Sequence, residues 1–276
     1  MSPIFLLVFP LLGPSYPLPT AASAIASALL TEVFGFASGL LGYSRRGLVD
    51  WSIAAQFSVV SVPSALIGAI LAASVAQNPS LLRGVYAALM IGLATYLTVS
   101  DKPESILEEE CEIPEEGDDL RKHSTADGTE FLYFPPKQGD LKSASATIAG
   151  SGLTGLLGVG VGEVILPQLV RSCCMPLPVA AGTSVAVVVV TALTAAIVQF
   201  LTLASMLPSE EGTLSSLVSV VPWNLVQFTI PGALIGGQIA PYLANRQIFS
   251  DEFIERFAAT LFGVIGIAFG VKYITG

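Results

Sequence analysis

What most constrains this chain is a succession of apolar runs, each closed by proline, glycine or charge. They lie at about residues 3–14, 18–43, 48–76, 80–99, 144–171, 176–207, 216–245 and 251–274. Most reach the roughly 20 residues that a helix needs to cross a bilayer core; the first is too short. Charged residues make up 12% of the chain, about half the share usual in a soluble domain, and mean hydropathy is +0.73. The expected fold is therefore all-α: a polytopic membrane helix bundle of about eight segments.

An internal repeat organises the segments. Pro17-Leu-Pro19-Thr-Ala-Ala22 recurs as Pro176-Leu-Pro178-Val-Ala-Ala181, each opening a long helix. Val49-Asp50-Trp51 answers Val221-Pro222-Trp223, and Pro63-Ser-Ala-Leu-Ile-Gly68 answers Pro231-Gly-Ala-Leu-Ile-Gly236. Arg83 and Arg256 each open the fourth segment of their half, and Pro10 answers Pro167. The expected organisation is two related four-segment halves, 1–99 and 144–276, around a linker at 100–143, with the front of the first segment missing. Four spanning segments per half give parallel repeats, whereas a first segment that turns back gives inverted ones; both stay open. If all eight segments span, the lysine and arginine balance puts the linker and both termini in the cytoplasm.

Residues 100–140 hold 13 acidic and 4 basic residues, so the formal charge of −9 resides there and the remainder is neutral. With its prolines and glycines and no apolar period, 100–143 is expected to be an acidic, flexible, solvated spacer. No basic face offers itself to nucleic acid. Cys111, Cys173 and Cys174 form no disulfide framework, the sole histidine is His123, and no set has metal-ligand spacing, so neither metal nor cofactor is expected.

One run departs from a plain lipid-spanning pattern: Gly155-Leu-Leu-Gly158-Val-Gly160-Val-Gly162-Glu163-Val-Ile-Leu-Pro167-Gln168-Leu169. Glycine lowers helix stability by about 1 kcal/mol per residue and proline by about 3, and freed backbone groups at membrane depth survive only beside protein or a wet cavity. A broken glycine-rich helix is expected, and a half-helix start there offers bare amides to an anion. Gly158, Gly160 and Gly162 are the candidate substrate-binding residues. Thr183 and Ser184 could complete the pocket, or their hydroxyls could bond within their own helix. Glu32 and Glu163 are intramembrane carboxylates, either held protonated in the bundle or coupling proton movement. Gln56, Gln168, Gln199, Gln227 and Gln238 could line a path or bridge helices. The spaced glycines at 35 and 39, 232 and 236, and 266 and 270 read as helix-packing contacts.

The glycine run through Pro167-Gln-Leu169, then Pro178-Val-Ala-Ala181-Gly-Thr183-Ser184, with the duplicated halves, resembles the sulfite exporter TauE/SafE family of membrane transporters. The resemblance implies transport of small sulfur-containing anions such as sulfite or sulfonates by a multi-pass protein of the cell (inner) membrane. Glu163 beside the glycines departs from the family pattern. The expected function is a secondary transporter, proton coupling included, and not an enzyme: no histidine accompanies a nucleophile at membrane depth. A passive anion channel and a membrane scaffold or assembly subunit are the alternatives. The expected partners are the small anion and the bilayer, and a homo-oligomer is compatible with both.

Overall fold

The computed structural model describes residues 21–76, 78–99, 120–126, 128–136, 141–158, 162–205, 223–245 and 251–275. Among them are eight helices: α1 (Ala21–Arg45), α2 (Trp51–Ala76), α3 (Pro79–Val99), α4 (Leu141–Leu157), α5 (Gly162–Cys173), α6 (Leu177–Ser205), α7 (Trp223–Asn245) and α8 (Asp251–Thr275). Two short strands, β1 (Arg121–Ser124) and β2 (Glu130–Tyr133), stand between α3 and α4. The expected first segment and its Pro10 lie outside the described residues. Three helical stretches are long and apolar enough to cross a membrane, Ser23–Arg45, Trp51–Ala72 and Leu177–Ser205, and Ser80–Thr95 and Ala259–Ile274 are shorter apolar helices. Large apolar side chains such as Val59, Phe228 and Ile274 stand exposed on the outside, as a lipid-facing surface requires.

The helix ends follow from local chemistry. At the end of α1, Gly47 adopts a positive φ of 69° and its amide reaches the Ser44 carbonyl, a glycine-capped C-terminus. Asp50 then opens α2: its Oδ1 accepts the amides of Ser52 and Ile53 at 3.0 and 3.1 Å, an N-cap bond. Asn78 does the same for α3, accepting the Leu81 amide ahead of Pro79. Inside the helices, hydroxyls such as Ser27 and Thr31 bond carbonyls four residues back, so they burden an apolar environment little.

Helix directions can be read from the contacts. Along α1 and α7, Thr31 meets Thr229, Gly35 meets Ala233 and Gly39 meets Gly237, so the two run parallel. Along α3 and α8, Gly84 meets Tyr273, Tyr86 stacks on Phe269 and Gly266 meets Ile91, so these run antiparallel. Gly182 near the start of α6 abuts Leu48 just before α2, which places those two helix starts together. The close pairs are α3 with α8, α2 with α4, α2 with α6, α7 with α1, and α1 with α6. Exchanging α1 with α6, α2 with α7 and α3 with α8 maps α2–α6 onto α7–α1 and returns α3–α8 and α1–α6 to themselves, while α2–α4 has no counterpart among the described residues. The self-exchanging pair α3–α8 is antiparallel, the sense that inverted repeats require and parallel ones do not. Trp51 and Trp223, both half exposed, consequently lie at opposite ends of the bundle, each suited to a bilayer interface.

Two expectations change. The run 144–171 is not one segment with a break: Gln168 in α5 accepts hydrogen bonds from Ser143 and Thr147 in α4 at 2.9 and 3.1 Å. A straight continuation would hold those residues about 30 Å apart at 1.5 Å per residue. The chain therefore reverses, and α4–α5 is a helical hairpin that enters and leaves on one side. That reversal changes the parity. Lys272 near the end of α8 offers its carbonyl to Arg83 at the start of α3, the end of the bundle away from the strands, so the linker and the C-terminal helix end are on opposite sides rather than together.

Within 100–143, read from sequence as an acidic, flexible, solvated spacer, the strands pair antiparallel with Arg121 opposite Tyr133 and Ser124 opposite Glu130. Thr125 closes the turn by bonding the Thr129 carbonyl through both its amide and its hydroxyl. Residues 100–119 are outside the description.

Candidate functional site

The α4–α5 hairpin turns where the glycines are. Gly158 caps α4 with a positive φ of 67°, and its N–H donates a hydrogen bond to the Thr154 carbonyl at 2.9 Å, a backbone state open to glycine at little cost. The carbonyls that a helix end leaves unpaired are met by side chains. Gln199 of α6 donates Nε2 to the Gly155 carbonyl at 2.6 Å, and the Tyr86 hydroxyl of α3 donates to that of Leu157. The negative end of α4 is thus closed with neutral donors. Gly160 lies outside the described residues.

Gly162 starts α5, and a Cβ there would meet Cγ2 of Val188 on α6 at 2.9 Å. The α5 first turn, whose amides have no intrahelical partner, is pressed against the middle of α6. At 12 residues, α5 is about 18 Å long, and its far end meets the strands: the Phe134 amide donates to the Cys173 carbonyl at 2.8 Å. The α5 start therefore lies about half a bilayer core inward from that face.

The other predicted site residues divide. Ser184, one turn before Val188 on α6, is brought toward Gly162, yet its hydroxyl donates to Ala181 of its own helix at 2.9 Å. Thr183 is turned elsewhere: fully buried, its Oγ1 accepts the Asp50 amide at 3.0 Å, which holds the α1–α2 connection and not the glycine turn. Glu32 is buried in α1, three residues after Leu29, whose side chain shares an apolar cluster with Leu157. Glu163 occupies the second position of α5.

Sequence reasoning missed a polar seam beside the hairpin. Helices α2 and α4 run in backbone contact: a Cβ on Gly155 would fall on the Ala65 carbonyl oxygen and one on Gly68 on that of Gly152, while Ser64 donates to the Ile148 carbonyl at 2.6 Å. The pairs Ser64–Ile148 and Gly68–Gly152 advance together, so the helices are parallel. One turn back from Ala65 is Ser61, and one turn back from Gly155 is Ser151. Both are wholly buried, and the Oγ of each has no hydrogen-bond partner among the described residues. One further turn back along α4, Thr147 holds the Gln168 carbonyl, leaving the buried Gln168 Nε2 likewise without a partner. The signal that finds them is a complete count of hydroxyl and amide partners, which requires coordinates.

A second polar cluster occupies the strand-side end. Asp50, 3% exposed, accepts the Tyr133 hydroxyl on Oδ2 at 2.6 Å and pairs there with Arg121 Nε at 2.9 Å. His123 Nε2 donates to the Gly47 carbonyl at 2.7 Å, and the Ala126 amide to that of Arg46 at 3.0 Å. Burial, reinforced by the hydrogen bond to Asp50 and its charge, raises the Tyr133 pKa well above the ordinary phenol range. Nearby, Cys173 is a free, buried thiol, while Cys174 is in a disulfide whose other half lies outside the described residues; no such bond was expected from the sequence. No group of three or more metal-ligating side chains comes together among the described residues.

Comparison with known proteins agrees with a membrane transporter. The chain is 24% identical over 231 residues to a protein named probable membrane transporter protein YunE of Bacillus subtilis, covering 83% of this chain and 74% of that one. It is 32% identical over 91 residues to a probable membrane transporter protein of Xylella fastidiosa, covering 33% and 34% of the two. No solved structure matches. The model of the sulfite exporter TauE/SafE family matches residues 1–269, nearly the whole chain, and the protein is an integral membrane transporter belonging to that family.

Proposed function

We propose that this transporter is a multi-pass secondary carrier of the cell membrane that moves small sulfur-containing anions, sulfite or sulfonate-like, with proton coupling through Glu32 or Glu163. The observation that carries the reading is the α4–α5 hairpin: the α5 start, positive by its aligned dipoles, lies inside the bundle beside Gly162 and Val188. A carboxylate at Glu163 repels an anion there unless it is protonated, and this ties anion binding to proton uptake. Inverted halves suit a carrier that opens to each side in turn around a central site, 1–99 and 144–276 rocking about it. The TauE/SafE relationship supports the choice of sulfur oxyanions.

The test is uptake of labelled sulfite and of a small sulfonate into proteoliposomes under imposed pH gradients. Saturable uptake that rises with an inward proton gradient and disappears in Glu32→Gln or Glu163→Gln is expected. Flux that neither saturates nor responds to pH identifies a passive channel, and no flux of any small anion above empty vesicles refutes transport of this class.

A further inference from the structure

Three buried polar groups without partners among the described residues line one seam. Ser61 on α2 and Ser151 on α4 each precede, by one turn, the residues at which the two helices touch, Ala65 and Gly155. The helices are parallel, so both hydroxyls occupy the same level of the same seam. They are not bonded to each other or to any described residue. Gln168 enters from α5 with its carbonyl pinned by Ser143 and Thr147, which fixes its amide group beside the next turn of α4. A hydroxyl or amide buried without a partner keeps its full desolvation penalty, and native interiors rarely hold one without a purpose. Three in one seam form a set of donors that the described residues leave unpaired.

We propose that Ser61, Ser151 and Gln168 are the specificity contacts of the carrier's substrate and that they select a small anion bearing several oxygens over a monatomic one. The inference rests on the transport reading above and names its ligand-facing side chains. All three groups are neutral donors from three different helices, so they can each reach a separate oxygen of a sulfite or sulfonate head. A halide presents one centre, whereas an oxyanion presents acceptors on several sides to donors that approach from three helices. Neutrality suits a carrier: the anion is held by hydrogen bonds and released without breaking an ion pair. The three helices are also drawn from both halves, α2 from the first and α4–α5 from the second, so movement between the halves would assemble and dismantle the contact set.

The experiment compares wild type with Ser61→Ala, Ser151→Ala, Ser151→Cys and Gln168→Leu in proteoliposomes, measuring KM for sulfite and a small sulfonate. Detergent-solubilised thermal midpoints are measured with and without each anion and with chloride. Wild type is expected to be stabilised by the oxyanions and not by chloride. Each alanine or leucine variant should raise KM at least tenfold and lose that stabilisation while its anion-free midpoint stays at or above wild type. Ser151→Cys, a weaker donor of similar size, should fall between. If wild type transports and these variants keep its KM, the hydroxyls hold only water and this inference fails while the transport reading stands. If wild type neither transports nor is stabilised by any oxyanion, both fail. A variant with a lowered anion-free midpoint assigns that residue to packing and removes it from the contact set.

Discussion

The molecule buries two polar clusters, and they are wired in opposite ways. At the strand-side end, Asp50 uses both carboxylate oxygens: Oδ1 takes the first amides of α2, and Oδ2 takes Tyr133 and Arg121. Its own amide goes to Thr183. In the α2–α4–α5 seam, the Ser61 and Ser151 hydroxyls and the Gln168 side-chain nitrogen have no partner among the described residues. The first arrangement is what structural polar groups look like in an interior of low dielectric, where each must be paired. The second resembles a set of contacts left for something that comes and goes. Burial alone distinguishes neither; the fate of each proton does.

Breaking the satisfied cluster should be the costlier change. Asp50→Ala removes the α2 cap, strips Tyr133 of its acceptor and frees Arg121, and it should destabilise by about 3 kcal/mol, from a cap of about 1 and a charged hydrogen bond of about 2. The ion pair adds less, because Arg121 is 36% exposed and solvent screens such pairs. The check is the thermal midpoint of purified protein, together with protease cleavage within 121–133, which should become rapid once the strands detach. An unchanged midpoint and an uncut hairpin would show that the cluster does not hold the strands.

Tyr133→Phe isolates one bond of that network and should cost about 1.5 kcal/mol. It also carries a pH signature. The Tyr133 pKa is raised in the folded state, so its contribution is complete below the unfolded phenol's pKa of about 10 and is lost as pH climbs beyond it toward the folded value. Wild-type hairpin docking, followed by amide exchange over 121–133, should therefore weaken above about pH 10, and the phenylalanine variant should lack that component. Equal pH profiles for the two proteins would refute the assignment of the phenol to the network.

These contrasts also show which parts of the architecture the amino acids announce. Long apolar runs with local start signals are legible: the run 48–76 became Trp51–Ala76, opened by the Asp50 cap, and 80–99 became Pro79–Val99, opened by Asn78. A reversal inside an apolar run is not legible, because glycine and proline are compatible with a kinked crossing and with a hairpin; only the Gln168 contacts to Ser143 and Thr147 distinguish them. Choosing between parallel and inverted halves needed helix directions for the same reason. The strands escaped notice because each has four residues, their neighbourhood is acidic, and Tyr133 meets its partner Asp50 from 83 residues downstream. Thr183 was a reasonable site candidate by type and position; its proximity to the α1–α2 connection is a tertiary fact with no local trace. Ser61 and Ser151 look, in one dimension, like any isolated hydroxyl in a membrane helix.

The smallest expected effect makes the sharpest comparison, because the repeat supplies its own control. Thr229 precedes Pro231 by two residues in α7, as Ser61 precedes Pro63 in α2, so the two occupy corresponding positions. Thr229 bonds Thr31 of α1 at 3.0 Å; Ser61 has no such partner. Replacing Thr229 with valine keeps the shape and removes a satisfied interhelical bond, which in membrane proteins averages about 0.6 kcal/mol. Thr229→Val should thus lower the midpoint slightly and leave the anion KM alone. Ser61→Ala removes an unsatisfied hydroxyl, so its stability effect should be nil or of the opposite sign, with the whole consequence appearing in KM. Measured side by side, the pair separates a hydroxyl that holds helices together from one that waits on a ligand. If both variants lose stability equally and neither alters KM, Ser61 is a packing residue like its counterpart, and the asymmetry between the two halves has no functional meaning.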